Sequence, residues 1–187
     1  MRYVGELEKT TYKPLCIWAE KLGFAEGRMK RVLSKHKMIN LAYNLRGHYD
    51  LGVGIATGGL EPAYFFSLFA LEVMVCECHE GRDFRWAGEP SREHLTEMIA
   101  GKRVVVIDED IAYGKNSGRA VNEILKYRPQ QADLALVWTP WKGTSSVDTY
   151  VENASPKFGR VVTAAEFGYN EFDKAVEIVE RALRARL

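Results

Sequence analysis

The sequence predicts an α/β fold, a mostly parallel sheet flanked by helices and preceded by a helical N-terminal part. Three observations carry this. Val104-Val105-Val106-Ile107 is a branched apolar run without alternation, as suits a strand covered on both faces, and it ends on the carboxylates Asp108 and Glu109. Strand-like runs recur after Asp50, at Val73 to Cys78, at Ala132 to Trp138 and at Arg160 to Ala165, with helical segments between them. Glycines stand just beyond two of these strands, Gly58-Gly59 and Gly114, where a chain turns from strand into helix.

Taken in order, the opening from about Glu6 to Arg46 is helical, broken by Pro14 and Gly23. Leu51 to Ile55 forms a short strand, Ala56 to Gly59 a turn, and a helix follows with Pro62 in its first turn, where a missing N–H costs nothing. Its Ala63, Phe65, Phe66, Leu68, Phe69 and Leu71 are core residues by composition. After the strand at Val73 to Cys78 comes a charged loop, His79 to Pro90, and Ser91-Arg92-Glu93 opens the next helix. The acids at 108 and 109 lead through small residues into a helix from Asn116 onward. In the C-terminal helix Asn170 is the expected cap, Glu171 and Asp173 suit the positive end, and Phe172, Val176, Val179 and Leu183 make one apolar face.

Composition bounds the function classes. The 187 residues are 47% hydrophobic and 27% charged, with neither linker nor repeat, so a single domain spanning 1–187 is expected, with 1–48 as its helical part. A net charge of +1 argues against a nucleic-acid binder. The three cysteines, Cys16, Cys76 and Cys78, are an odd number without a Cys-x-x-Cys pair, so they read as buried thiols rather than disulfide or zinc partners. No apolar run reaches the roughly 18 residues of a membrane span, and the N-terminus lacks a signal-peptide core, so a soluble cytoplasmic protein is expected. One basic run stands out: Arg28, Lys30, Arg31, Lys35, His36 and Lys37 without an acid between them. It reads first as a solvated helix face, and alternatively as a subunit contact or an arm over an anionic ligand.

Two segments carry chemistry. In the first, backbone N–H groups of the small residues after Asp108-Glu109, together with a helix N-terminus, favour a phosphate, while the carboxylates accept sugar hydroxyls. The second is Asp50-Leu51-Gly52-Val53-Gly54-Ile55-Ala56-Thr57-Gly58-Gly59-Leu60-Glu61-Pro62, a second phosphate loop upstream of the first. The pair, in this order, resembles the type I phosphoribosyltransferases. The first segment is similar to their diphosphosugar motif: four apolar residues, two acids, three residues, then a Gly-containing turn. The second is similar to their pyrophosphate loop.

The resemblance covers Asp50 to about Val151 and implies a three-layer type I phosphoribosyltransferase fold with an added hood. It implies an enzyme that transfers ribose 5-phosphate from phosphoribosyl pyrophosphate (PRPP) to a nitrogenous acceptor with release of pyrophosphate. It further implies Asp108 and Glu109 as catalytic residues that hold ribose hydroxyls and Mg²⁺. Ala56, Thr57, Gly58 and Gly59 would present amides to the diphosphate, with a strained peptide at Ala56-Thr57. Ala112, Tyr113, Gly114, Lys115, Asn116 and Ser117 would line the 5′-phosphate, and Arg82 and Arg85 would sit on a loop closing over the diphosphate. Trp141 and Lys142 fall in the acceptor-binding stretch. A homodimer is implied as well. The chain departs from the family at four positions: Tyr113 and Asn116 replace threonines, Ala112 an aspartate near the base, and Thr139 a lysine that holds an oxo group. These departures keep a second reading open, a phosphoribosyltransferase-like protein that binds a nucleotide or PRPP without turning it over.

Overall fold

In the computed structural model, residues 13–24, 35–78, 83–110, 115–138 and 159–185 are described. Residues 13–21 are helical (α1), followed by α2 (Lys35–Leu45), β1 (Leu51–Ala56), α3 (Leu60–Leu68), β2 (Glu72–Glu77) and β3 (Arg85–Trp86). Then come α4 (Arg92–Ile99), β4 (Arg103–Asp108), α5 (Lys115–Leu125), β5 (Gln131–Leu136), β6 (Val161–Thr163), a short 3₁₀ turn (Ala164–Glu166) and α6 (Phe172–Arg184). The strand order is β3-β2-β1-β4-β5-β6, parallel except for the antiparallel edge strand β3.

The β4 sequence shows why the sheet has three layers. Val105 and Ile107 join one core with residues of α2, α3 and α6, while Val104 and Val106 join a second core with residues of α4 and α5. Alternate residues of a strand point to opposite faces, so a run apolar at every position must be covered twice. In β1 the same alternation is asymmetric: Leu51, Val53 and Ile55 face the α4/α5 core, and the intervening residues are Gly52 and Gly54. A Cβ on Gly54 would lie 2.7 Å from the Cβ of Ala63, so the missing side chain is what admits α3 so close to the sheet. Tyr64, Phe65 and Phe66 of α3 are then buried beneath α2 and α6.

Three elements differ from the sequence reading. The aromatic helix stops at Leu68 rather than running to Leu71, because Ala70 adopts a left-handed backbone with φ 64°. The 79–90 loop contains strand β3, whose two residues pair with Cys76 and Glu77 and are too few to show a period. Asn170 does not cap the last helix: Glu171 occupies the cap position and no side chain caps it. The carboxylate of Glu171 instead accepts hydrogen bonds from Tyr43 Oη and Lys174 Nζ. The apolar face of α6 is as expected, with Val176, Val179 and Leu183 buried.

The N-terminal edge of the sheet is closed by two carboxylates. Asp133 is buried and accepts from Tyr49 Oη at 2.7 Å, Gln131 Nε2 at 2.6 Å and the Arg160 backbone N–H at 2.9 Å. Burial, with the Asp133 carboxylate beside it, pushes the Tyr49 phenol well above its ordinary value. Asp50 accepts from the Arg103 guanidinium at 2.7 Å and 3.1 Å and from its backbone N–H at 2.9 Å. These bonds, the side-chain one first, hold the Asp50 carboxyl down to about 2.

Tyr49→Phe leaves a buried acceptor with one donor fewer and should cost about 1–2 kcal/mol of stability, read from chemical denaturation. The Asp50 contribution has the sign of a depressed carboxyl: present above the ordinary aspartate range, lost as pH falls toward 2. Asp50→Asn should therefore lower the melting temperature slightly at pH 7, by an amount limited by solvent and salt screening, and the gap should vanish near pH 2.

Candidate active site

The C-terminal edge of the sheet brings both sequence segments together. β1 ends at Ala56 and β4, its neighbour, at Asp108. Gly59 makes the turn between β1 and α3, where a Cβ would fall 2.3 Å from the Ile107 carbonyl oxygen and 2.7 Å from the Ile55 nitrogen. Only glycine lets the backbone pass so close to two strands at once. The turn is held by Gly59 N–H donating to the Ile55 carbonyl at 2.7 Å and Leu60 N–H to the Thr57 carbonyl at 3.3 Å. The Ala56–Thr57 peptide is cis.

One residue earlier, Gly58 faces the acids. A Cβ there would be 3.1 Å from Asp108 Oδ1 and 3.2 Å from the Glu109 Cβ. Loop and carboxylates thus form one surface, with the N-terminus of α3 beside it. Glu109 N–H donates to Asp108 Oδ1 at 2.8 Å. Trp138 N–H donates to the Glu109 carbonyl at 3.0 Å and Val137 N–H to the Asp108 carbonyl at 3.3 Å, so the chain leaving β5 is stitched to the acid pair. Burial pushes the Asp108 carboxyl up to about 8, aided by Asp110 and Glu109 and opposed by the Glu109 N–H.

The candidate residues divide as follows. Ala56, Thr57, Gly58, Gly59, Asp108 and Glu109 are assembled at this edge. Lys115, Asn116 and Ser117 form the first turn of α5, with Ser117 buried and Lys115 exposed. Arg85 lies on edge strand β3, where its guanidinium donates to Glu77 Oε2 at 2.9 Å. Arg82, Ala112, Tyr113, Gly114, Trp141 and Lys142 lie outside the described residues. Cys16, Cys76 and Cys78 are buried free thiols. A hydrogen bond with Cys78, and then burial, hold the Cys76 thiol well above its ordinary value, which marks it as unreactive. Among the described residues no group of three His, Cys, Asp or Glu side chains is placed to hold a metal by itself, and no helix is long and apolar enough to cross a membrane.

In its described part, 35–37, the basic run is not simply the solvated face that its composition suggests. Lys35 is buried, its ammonium 3.7 Å from Glu61 Oε1 in the first turn of α3. Lys37 is half-buried with its ammonium 3.9 Å from the centre of the Trp138 ring. A charge run gives no sign of which of its members turns inward, since the partners are 26 and about 100 residues away in sequence.

No family model matches the sequence, and no curated protein matches it. Solved structures do. An APRTase from Giardia lamblia complexed with 9-deazaadenine superposes with a TM-score of 0.50 at 9% identity, over 68% of this chain and 77% of that one. An orotate phosphoribosyltransferase from Aeropyrum pernix gives 0.49 at 17% identity, over 68% of each chain. A purine phosphoribosyltransferase from Pyrococcus horikoshii Ot3 gives 0.48 at 22% identity, over 68% of this chain and 79% of that one. With its strand order, its antiparallel edge strand and its two helical layers, the chain has the type I phosphoribosyltransferase fold.

Proposed function

We propose that the protein is a phosphoribosyltransferase that moves ribose 5-phosphate from PRPP to a nitrogenous, nucleobase-like acceptor with release of pyrophosphate. The observation that carries this is the close approach of Gly58 to Asp108 and Glu109. A loop of amides and a carboxylate pair on one surface match the two halves of a sugar diphosphate, its phosphates and its vicinal hydroxyls.

In this reading the Ala56 to Gly59 loop, just before the N-terminus of α3, holds the diphosphate through its backbone N–H groups other than that of Gly59, which donates to the Ile55 carbonyl, and Asp108 and Glu109 accept the ribose hydroxyls. Lys115, Asn116 and Ser117, with residues 112–114, receive the 5′-phosphate at the N-terminus of α5. The acceptor nitrogen attacks the anomeric carbon as the bond to pyrophosphate breaks. The chain contributes by holding both reactants in line and by excluding water from the cationic sugar. Arg82 and Arg85 would oppose the charge that grows on the leaving group, which requires Arg85 to release Glu77.

The residues present fit a Mg²⁺ ion. Two adjacent hard-oxygen carboxylates stand beside a phosphate loop, and among the described residues no lysine or arginine pairs with Asp108. Mg²⁺, when bound with PRPP, would supply charge neutralisation at the diphosphate. A homodimer in the cytoplasm is part of the same proposal. The second reading, a non-catalytic binder of PRPP or a nucleotide, is favoured by the changed positions Ala112, Tyr113, Asn116 and Thr139.

Calorimetric titration of PRPP with Mg²⁺, followed by a pyrophosphate-release screen over purines, pyrimidines and small amines, separates the two. Binding with release for one acceptor supports the transferase; binding without release supports the binder; absence of binding overturns both. With Mg²⁺ present, whose charge would favour the ionised Asp108 carboxylate, Asp108→Asn should weaken PRPP by about tenfold or more, since a hydrogen bond to a charged group is worth about 1.5–3 kcal/mol. An unchanged affinity would remove Asp108 from the ribose site. Gly59→Ala should lower both stability and PRPP affinity, because the added carbon meets backbone rather than a side chain that can swing away.

A further inference from the structure

Carboxylates surround the loop that receives the diphosphate in the reading above. Gly58 lies against Asp108 and Glu109. Ala56 stands opposite Glu77 in the register of β1 and β2. Glu61, two residues past Gly59, is the acid in the first turn of α3, and it is buried. A side chain at that point of a helix lies back over the turn before it, here toward the loop. A ligand with several negative charges would be repelled by these acids unless cations offset them.

Glu77 and Glu61 each have a cation beside them, in different settings. Arg85 donates to Glu77 at 2.9 Å from an exposed side chain. Lys35 and Glu61 are both buried, with the ammonium 3.7 Å from Glu61 Oε1. The fold fixes where this cation stands. Helix α2, which begins with Lys35, is fastened further along by Asn40 Nδ2, which donates to the carbonyls of Phe167 and Gly168 at 3.4 Å and 3.3 Å, and by Tyr43 Oη, which donates to Glu171 at 2.8 Å. The loop is also backed by apolar side chains: Ala19 of α1 and Phe24 just after it join Ala56 and Leu60 in one buried cluster. Charges beside such a cluster act through a low dielectric, so one unit counts for more there than on a wet surface.

We propose that Lys35 is the fixed countercharge of the diphosphate loop, cancelling the Glu61 carboxylate at the N-terminus of α3 and thereby setting the affinity of the loop for a diphosphate group. The inference rests on the phosphoribosyltransferase reading and adds to it a positioning residue that acts through Glu61. That residue comes from α2, outside the 50–151 segment that carries the family likeness. With the pair intact, the loop amides and the positive end of α3 face the anion undiminished. With Glu61 uncompensated, a negative charge stands two residues from them.

The test titrates inorganic pyrophosphate with Mg²⁺ into wild type, Lys35→Met, Glu61→Gln and the double variant by calorimetry, with melting temperatures measured alongside and PRPP as a second ligand. Lys35→Met should weaken pyrophosphate by about fivefold and Glu61→Gln should strengthen it by about as much, the size expected for a unit charge at a helix N-terminus. The double variant should return to within about twofold of wild type. The opposite signs are decisive, because a merely structural pair loses affinity and melting temperature together in both single variants. That joint loss, or no shift in either variant, would overturn the assignment. Should Lys35→Met fail to fold, Glu61→Gln must still bind more tightly than the double variant, and equal or reversed affinities overturn the proposal. Wild type that binds pyrophosphate but neither binds nor cleaves PRPP ends the transferase reading, while the ordering of the variants still decides the role of Lys35. Wild type that binds no pyrophosphate overturns both.

Discussion

The candidate site depends on how closely the backbone at Gly59 passes the strands on either side. A methyl group there would sit 2.3 Å from the Ile107 carbonyl and within 2.8 Å of both the Ile55 nitrogen and oxygen. With that room available, the chain turns directly off β1 and sends α3 back along the sheet. The turn also delivers Gly58 to within contact of Asp108 and Glu109. Gly54 extends the constraint one layer deeper, since α3 lies against it through Ala63. The packing of the aromatic helix and the geometry of the site are thus two consequences of one close approach.

The sheet treats its carboxylates differently at its two ends. At the N-terminal edge Asp133 has donors from Tyr49, Gln131 and Arg160, and Asp50 has a guanidinium, so burial or charge is fully answered. At the C-terminal edge Asp108 is taken from solvent with only one backbone N–H to answer it, so burial first and the two neighbouring acids second raise its carboxyl to about 8 where Asp50 falls to about 2. Perturbed carboxyls of this kind concentrate at functional sites, although structural networks produce them too.

Helix α2 connects the parts. Its buried face belongs to the same core as α3 and α6, and its polar residues reach the first turn of α3, the indole after β5 and the segment before α6. The buried Lys35–Glu61 pair ties α2 to the first turn of α3, since charges in an interior are tolerated only when they are paired. Through this helix the N-terminal part of the chain shares in the site edge rather than only covering the core.

Much of the fold was legible in the sequence because its signals are local. The unalternating Val104-Val105-Val106-Ile107 run requires cover on both faces, the Gly58-Gly59 turn can follow only a strand that ends there, and the acids must then stand at the strand's C-terminal end. Strand β3, the cap of α6 and the end of α3 at Leu68 were not legible. A two-residue strand has no period, the carboxylate of Glu171 is engaged by Tyr43 from another helix, and the left-handed Ala70 has no glycine to announce it. The inward turn of Lys35 and Lys37 was hidden for a related reason. Sequence by itself determined the succession along the chain of helices and strands, β3 apart, and the residue types at the sheet edge, because periodicity and turn chemistry act between near neighbours. Only the tertiary structure decided which cations leave the solvent, because their partners Glu61 and Trp138 come within reach only when the helices pack on the sheet.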